Sequence, residues 1–315
     1  MKRLSLTLAV LSMAWLFFLE ITPSNAQESV PQKELLLWQK LESTIHDTDK
    51  NLDGVLGVYI LDLTTNHSLS LNADETFPTA STIKIAILAE LFRQAQQGKL
   101  KLSDTYTLQS SDLVGGSGIA SALTPGVTKL TLRDVAALMI SVSDNSMTNV
   151  IIDRVGMQNV NALLDSLGLT HTRLRRKMMD IKAAAEGREN VSTPREMSQL
   201  LEALYRGKAL NKQFTDDFFN LLSIHKESYI PRNLPEDLRI ANKPGELEGV
   251  RNDCGIVFTG KRPYVICVMS TYVRDDREAG DAIVRISAAV YAMFDRLDRS
   301  SEFGRVVSSR DSSLP

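Results

Sequence analysis

Hydrophobic positions near the start of the chain change from a helical to a strand period. The first apolar positions recur every three or four residues and predict an amphipathic helix: Leu35, Leu36, Trp38, Leu41 and Ile45. Residues 56–63 and 68–71 then form two short apolar runs, which predict strands joined by a turn at residues 64–67. From about residue 81 to residue 222 the spacing is mostly helical.

Two helix starts in this region carry capping sequences. Thr131 is followed three residues later by Asp134, and Thr193 is followed three residues later by Glu196. Each pair predicts a capping box, and Pro194 suits the first position of the second helix.

Strand character returns after residue 239. Residues 255–259 and 264–273 flank Gly260-Lys261, a pair that suits a type II′ hairpin turn. A final apolar stripe predicts a closing helix: Ile283, Ile286, Val290, Met293 and Leu297. The polar tail, residues 299–315, is predicted to be disordered.

This order of elements predicts an α+β fold. The antiparallel sheet is expected to come from both ends of the chain, residues 27–80 and 223–298, with an all-helical domain, residues 81–222, inserted between them.

Composition narrows the class of protein. The 315 residues are 43% hydrophobic and 23% charged, which is typical of a globular chain. A net charge of −2 argues against a nucleic-acid binder held by phosphate contacts. Two cysteines and four scattered histidines exclude a disulfide scaffold and the common zinc motifs.

The N-terminus has the pattern of a secretory signal peptide. Lys2 and Arg3 precede an apolar run over residues 4–19, and Ser24-Asn25-Ala26 supplies small residues for cleavage before Gln27. The alternative is a membrane anchor, but the run is short and is interrupted by Glu20. We therefore expect cleavage after residue 26 and a periplasmic or secreted monomer without a membrane span.

Ser81 and Lys84 form the first candidate for catalysis. On a helix, positions i and i+3 share a face, so the lysine amine can reach the serine hydroxyl. A serine needs a base to become a nucleophile, and a desolvated lysine can serve as one. The signal is weak alone, because a second such pair exists at Ser223 and Lys226.

Two further motifs raise its weight. Ser143-Asp144-Asn145 begins 62 residues after Ser81, and Lys243-Pro244-Gly245 begins 100 residues after Ser143. S-x-x-K, S-D-N and K-x-G in this order are the signatures of penicillin-recognising serine enzymes. Ser223 follows the S-D-N triplet, so its order excludes it.

With these motifs the chain resembles the class A β-lactamases. The resemblance extends over nearly all of the mature chain and includes further segments: Phe77-Pro78, Thr131-Leu132-Arg133, Asn149 and Thr172-Arg173-Leu174. It implies a five-stranded antiparallel sheet flanked by the terminal helices, a helical domain and an active site in the seam between them.

The resemblance also implies roles for the motif residues. Ser81 becomes acylated, Lys84 takes its proton directly or through water, and Ser143 protonates the departing lactam nitrogen. Lys243 polarises Ser143 and, with Gly245, belongs to the substrate-binding motif. Asn145 holds the substrate amide, and the backbone N–H groups of Ser81 and Glu246 form the oxyanion hole.

One departure from the family lies in the third motif. Pro244 stands where Thr or Ser usually binds the substrate carboxylate, and proline has neither a hydroxyl nor an N–H. Arg251 could supply a bidentate contact instead; the alternative is a solvated strand charge.

The larger departure follows Thr172-Arg173-Leu174. Met178 and Lys182 occupy the positions of the family's water-activating Glu and its Asn partner. Asp180 could replace the Glu, or it could be a loop carboxylate paired with Arg175 or Arg176. Glu186 and Glu189 are expected to be solvated.

This departure leaves alternative functions open, which depend on whether another group activates water. With a substitute base the enzyme hydrolyses β-lactams. Without one, deacylation is slow, and the chain behaves as a D,D-peptidase acting on peptidoglycan stem peptides or as a sensor module.

Other residues have simpler interpretations. Cys254 and Cys267 flank the predicted hairpin symmetrically, so they could pair, although free buried thiols are slightly favoured because the register could be bulged. His171 is expected to be structural. The segment 115–118 is expected to be a flexible loop at the mouth of the site.

Overall fold

The computed structural model describes residues 31–306, so the predicted signal peptide and residues 307–315 lie outside it. Within this range the helices are α1 (Gln32–Asn51), α2 (Lys84–Gln96), α3 (Leu132–Ser141), α4 (Asn145–Val155), α5 (Met157–Ser166), α6 (Ile181–Ala185), α7 (Pro194–Tyr205), α8 (Lys212–Leu222) and α9 (Asp276–Arg299). No helix among the described residues is long and apolar enough to cross a membrane.

The strands form one large sheet and two small pairs. In chain order they are β1 (Val55–Asp62), β2 (Ser68–Leu71), β3 (Phe77–Pro78), β4 (Thr105–Thr107), β5 (Lys129–Thr131), β6 (Val191–Ser192), β7 (Ile240–Leu247), β8 (Val250–Val257) and β9 (Tyr264–Thr271). The large sheet has the order β2-β1-β9-β8-β7, and every pairing is antiparallel. The predicted five-stranded antiparallel sheet is confirmed.

Both faces of this sheet are buried. Along β1, Tyr59 and Leu61 pack with α2, α3, α4, α7 and α8, whereas Val58 and Ile60 pack with α1 and α9. A strand covered on both faces needs apolar side chains at successive positions, which explains the nearly continuous apolar run of β1.

The two predicted helix caps differ. Thr131 and Asp134 form the full capping box. Thr193 accepts the backbone N–H of Glu196, but the Glu196 carboxylate does not return to it. Instead, that carboxylate accepts the N–H and hydroxyl of Thr172 at 2.6 and 2.7 Å and lies 2.9 Å from His171 Nδ1. His171 therefore helps to anchor the segment that follows.

The final hairpin has the predicted register but a longer turn, since β8 ends at Val257 and β9 begins at Tyr264. Cys254 pairs directly with Cys267, and their sulfur atoms are bonded. This corrects the preference for free thiols, because the ladder between the two strands is unbroken. The chain end also differs from expectation: α9 reaches Arg299, and Ser300 bridges to Val306.

Candidate active site

The nucleophile candidate Ser81 lies in a tight 3-10 turn, Ala80–Ile83, between β3 and α2. Ala80 has φ +47°, a left-handed conformation that is unfavourable for a residue with a Cβ, so the turn needs external support. Asn252 on β8 gives that support by donating its amide to the carbonyl of Pro78 at 2.8 Å. No sequence motif pointed to Asn252.

Strand β7 passes close to this turn, and Gly245 makes the approach possible. A Cβ at Gly245 would lie 2.6 Å from the Thr79 carbonyl oxygen and 3.0 Å from the backbone nitrogens of Ser81 and Thr82. Only glycine fits such an approach. The next residue, Glu246, lines the same cleft as Ser81.

The second motif forms the junction between α3 and α4. Ser143 has φ +54°, which turns the chain sharply between the two helices. Asp144 caps α4 by accepting the Met147 N–H at 2.9 Å, and its other oxygen accepts two backbone N–H groups at Ile119 and Ala120. The strained serine is therefore held by the aspartate that follows it.

The three motifs meet at the hydroxyl of Ser143. This hydroxyl donates to Ser81 Oγ at 2.9 Å and accepts from Lys84 Nζ and Lys243 Nζ, both at 3.1 Å. Lys84 Nζ also donates to the Ser143 carbonyl at 2.6 Å and to Asn145 Oδ1 at 3.1 Å. The structure therefore brings together five of the predicted site residues.

One contact differs from the expectation. Among the hydrogen bonds of the described residues, Lys84 reaches Ser81 through Ser143 rather than directly. Three acceptor atoms on Ser143 and Asn145 lie around the Lys84 amine, which explains why it turns towards the α3–α4 junction.

Electrostatics favour the neutral form of these amines. Burial, together with the neighbouring charge of Lys243, holds the pKa of Lys84 well below its usual value. Burial and the charge of Lys226 lower the pKa of Lys243 to about 7. An amine with a depressed pKa can accept a proton near neutral pH.

Lys226 is a site residue that the sequence analysis set aside with the second S-x-x-K pair. It lines a cleft of about 350 Å³ together with Ser81, Ser143 and Lys243. Its Nζ donates to the Leu222 carbonyl at 2.8 Å, and burial lowers its pKa to about 8. Its position before β7 gave no signal of this role.

Arg251 differs from the expectation of a substrate contact. Its guanidinium donates to the carbonyls of Leu247 and Val250 and pairs with Asp276 at 2.8 Å. It is not among the residues that line the cleft. Arg251 follows the turn between β7 and β8, so its side chain reaches the start of α9 instead.

The segment that follows Thr172-Arg173-Leu174 is held at Met178. This side chain is 7% exposed, and Asn149 holds its backbone in both directions: Oδ1 accepts the Met178 N–H at 2.8 Å, and Nδ2 donates to the Met178 carbonyl at 3.1 Å. An apolar group is therefore fixed at the position where the family resemblance places a carboxylate.

The nearby carboxylates have structural partners. Asp180 is exposed and caps α6 by accepting the Ala183 N–H at 2.9 Å, rather than pairing with Arg175 or Arg176 as one expectation had it. Its role as a catalytic base stays a prediction. Glu189 accepts from Arg176 at 2.6 Å rather than being solvated, whereas Glu186 pairs with Arg188 on the surface. Lys182 is also exposed.

The glycine-containing loop lies beside the cleft, as expected. Ser117 lines the cleft, and its carbonyl accepts the Asn145 N–H at 3.0 Å. Asn145 Nδ2 donates to the Gly115 carbonyl at 3.2 Å. The loop is thus attached to the same asparagine that accepts from Lys84.

Comparisons with known proteins agree with this geometry. Residues 38–294 match a family described as "Beta-lactamase enzyme family". The chain is 26% identical to β-lactamase SME-1 from Serratia marcescens over 252 residues, which cover 77% of this chain and 85% of that protein. It superposes on a β-lactamase from Sphaerobacter thermophilus with a TM-score of 0.74 at 30% identity, covering 81% of this chain and 97% of the other.

A second solved structure, titled PBP-A, superposes equally well. The TM-score is 0.74 at 27% identity, with 81% of this chain and 96% of PBP-A covered. Since the family match spans most of the chain, this protein belongs to the beta-lactamase enzyme family and is a class A-type, β-lactamase-like serine hydrolase.

Proposed function

We propose that the protein opens β-lactam amides through an acyl-enzyme on Ser81 and that deacylation is its slow step. The observation that carries the proposal is the hydroxyl of Ser143, which lies within hydrogen-bond distance of Ser81 Oγ and of two buried amines with depressed pKa values.

In the proposed acylation, the Ser143 hydroxyl first turns its proton from Ser81 towards neutral Lys84. Lys84 then takes this proton while Ser143 takes that of Ser81. The Ser81 oxygen attacks the lactam carbonyl, and the N–H groups of Ser81 and Glu246 stabilise the oxyanion. The carbonyl–nitrogen bond then breaks, and Lys84 returns the proton through Ser143 to the nitrogen. The product of this step is an ester on Ser81.

Hydrolysis of that ester needs a base to activate water. Met178 cannot act as one, and Asp180 is engaged as a helix cap. This observation favours a second candidate function, a penicillin-binding D,D-peptidase that acts on peptidoglycan stem peptides and releases β-lactams slowly. A variant of PBP-A has been solved as an acyl-enzyme complex with penicillin G.

Time-resolved mass spectrometry with benzylpenicillin tests both functions. We expect a rapid mass increase on the wild type, followed by slow recovery of the free enzyme. Ser81→Ala should remove the adduct, and the matched control Ser223→Ala should retain it. An adduct that persists in Ser81→Ala would refute the assignment; fast turnover without accumulation would refute slow deacylation.

We also propose that the chain is exported and acts as a monomer. The signal-peptide pattern that ends at Ala26 supports export. N-terminal sequencing of the protein from a periplasmic or culture fraction should begin at Gln27, and light scattering should give the monomer mass.

A further inference from the structure

Strand β7 carries a carboxylate beside the nucleophile. Glu246 follows Gly245, and it lines the cleft with Ser81 and Lys243. The Glu246 charge opposes the effect of burial on the pKa of Lys243, so the two groups interact electrostatically. A substrate in this cleft therefore meets a negative charge as well as the buried amines.

This carboxylate is held in place by its neighbours. Tyr229 donates its hydroxyl to Glu246 Oε1 at 2.5 Å. The Tyr229 ring is buried, and its backbone N–H donates to the buried carboxylate of Asp253 at 2.9 Å. A Cβ on Gly280 of α9 would lie 2.7 Å from the ring, so α9 packs tightly against the phenol.

Among the described residues, no Lys or Arg side chain forms a salt bridge with Glu246. Arg251 is its cross-strand partner in the ladder, but the guanidinium pairs with Asp276. The nearest cleft amines, Lys226 and Lys243, are buried and donate to backbone carbonyls at Leu222 and Pro244. Glu227, exposed at the rim, adds a second negative charge.

We propose that Glu246 is a specificity-determining residue that favours substrates with an ammonium group and disfavours those with an additional carboxylate. This proposal rests on the acyl-enzyme function given above. Like charges repel and unlike charges attract within the cleft, where partial exclusion of water strengthens both effects. The carboxylate common to all penicillins is left to the buried amines, so the side chain of the substrate decides the preference.

Three penicillins with one nucleus test the proposal: benzylpenicillin and its α-amino and α-carboxy derivatives. The measurement is the second-order rate constant of acylation by mass spectrometry, compared as the ratio of the amino to the carboxy compound. We expect a ratio of about ten or more in the wild type, falling several-fold in Glu246→Gln, which keeps an acceptor for Tyr229. Added salt should also reduce the wild-type ratio.

Two further variants make the outcome specific. Glu248→Gln removes an exposed carboxylate from the β7–β8 turn and should keep the wild-type ratio. Tyr229→Phe removes the hydroxyl that orients Glu246 and should give an intermediate ratio. A wild-type ratio near one, or the same ratio in Glu246→Gln as in the wild type, overturns the proposed specificity role of Glu246. Either result leaves the acyl-enzyme function intact. Failure of all three penicillins to acylate Ser81 overturns both.

Discussion

Two parts of the site, the residues around Ser143 and the segment that contains Met178, differ in the chemical groups that they supply. On the α2–α3–α4 side, Ser143 connects the nucleophile to two buried amines through direct hydrogen bonds. In the segment that contains Met178, Asn149 of α4 holds the backbone of this buried methionine by two hydrogen bonds. The first part has the contacts that acylation would need, whereas the second presents an apolar side chain where the family resemblance places a carboxylate.

This difference separates two chemical steps that share one pocket. Acylation needs a nucleophile, a proton acceptor and oxyanion donors, and all have candidates here. Deacylation additionally needs activated water, to which general-base catalysis typically contributes about 10²–10⁴-fold. Acylation and deacylation therefore depend on different residues, so the two steps can be tested separately.

The largest effect is expected from Lys84→Met. The variant removes the proposed proton acceptor for acylation but keeps most of the side-chain volume. Acylation should therefore slow by about 10²–10⁴-fold. The acylation rate with nitrocefin measures this, and circular dichroism verifies folding. An acylation rate equal to that of the wild type would assign the base elsewhere.

Met178→Glu should supply a carboxylate where the family resemblance places the water-activating Glu. We expect deacylation to accelerate by about 10²-fold, because a carboxylate at this position could activate water. Single-turnover decay of the penicillin adduct measures it. The matched control is Met179→Glu at the exposed neighbour, which should decay as the wild type does. Equal decay in all three proteins would contradict the expectation that a carboxylate at this position activates water.

Lys226→Ala should weaken binding of the substrate carboxylate. Pro244 has no hydroxyl to bind this carboxylate, and Arg251 forms a salt bridge with Asp276 instead. Lys226 lines the cleft beside Lys243 and can therefore bind the substrate carboxylate. We expect the decrease in kcat/KM to correspond to a loss of about 1.5–3 kcal/mol in transition-state stabilisation, the range for a hydrogen bond to a charged group. Arg251→Ala is the control and should change kcat/KM less. The reverse order would restore Arg251 as the substrate contact.

The buried amines should also affect stability. The pKa of Lys243 is lowered to about 7 in the folded protein from its ordinary value of 10.5, which applies to the unfolded chain. Between these two pH values the unfolded chain therefore binds more protons than the folded protein. The free energy of unfolding should therefore rise with pH, by at most about 1.4 kcal/mol per pH unit from this residue. Urea titrations between about pH 7 and pH 9 should give a smaller slope for Lys243→Met. Equal slopes would refute the depressed pKa.

The smallest effect concerns Asp180. Asp180→Ala removes a helix cap and should reduce the free energy of unfolding by about 0.5–1 kcal/mol, whereas asparagine at this position can still cap. Deacylation should be unchanged in both variants. A trapped acyl-enzyme in Asp180→Asn would show that Asp180 supplies the base after all.

Elements with strong local signals could be predicted from sequence. The apolar period located α1 and α9, the hairpin symmetry gave the register of Cys254 and Cys267, and the ordered motifs located Ser81, Ser143 and Lys243. These features depend on short spacings or on motifs with fixed chemistry.

Side-chain partners set by long-range packing could not be predicted. Arg251 pairs with Asp276 because α9 packs beside β8, and Glu196 leaves its own helix cap because Thr172 lies nearby in space. Lys226 enters the cleft only because the chain between α8 and β7 passes beside Lys243. In each case the deciding neighbour is distant in sequence or is placed by the tertiary fold.

The pairing of β1 with β9 also affects how the protein can fold. It joins Val55 to Thr271, so the centre of the large sheet cannot form until most of the chain is available. Helix α7 packs against β1, β8 and β9, and Lys243 reaches Ser143 from β7, so the cleft is complete only when these strands are in place. Because contacts between distant residues slow folding, we expect assembly of the sheet to be the slow folding step and Ser143 to gain its contact with Lys243 late.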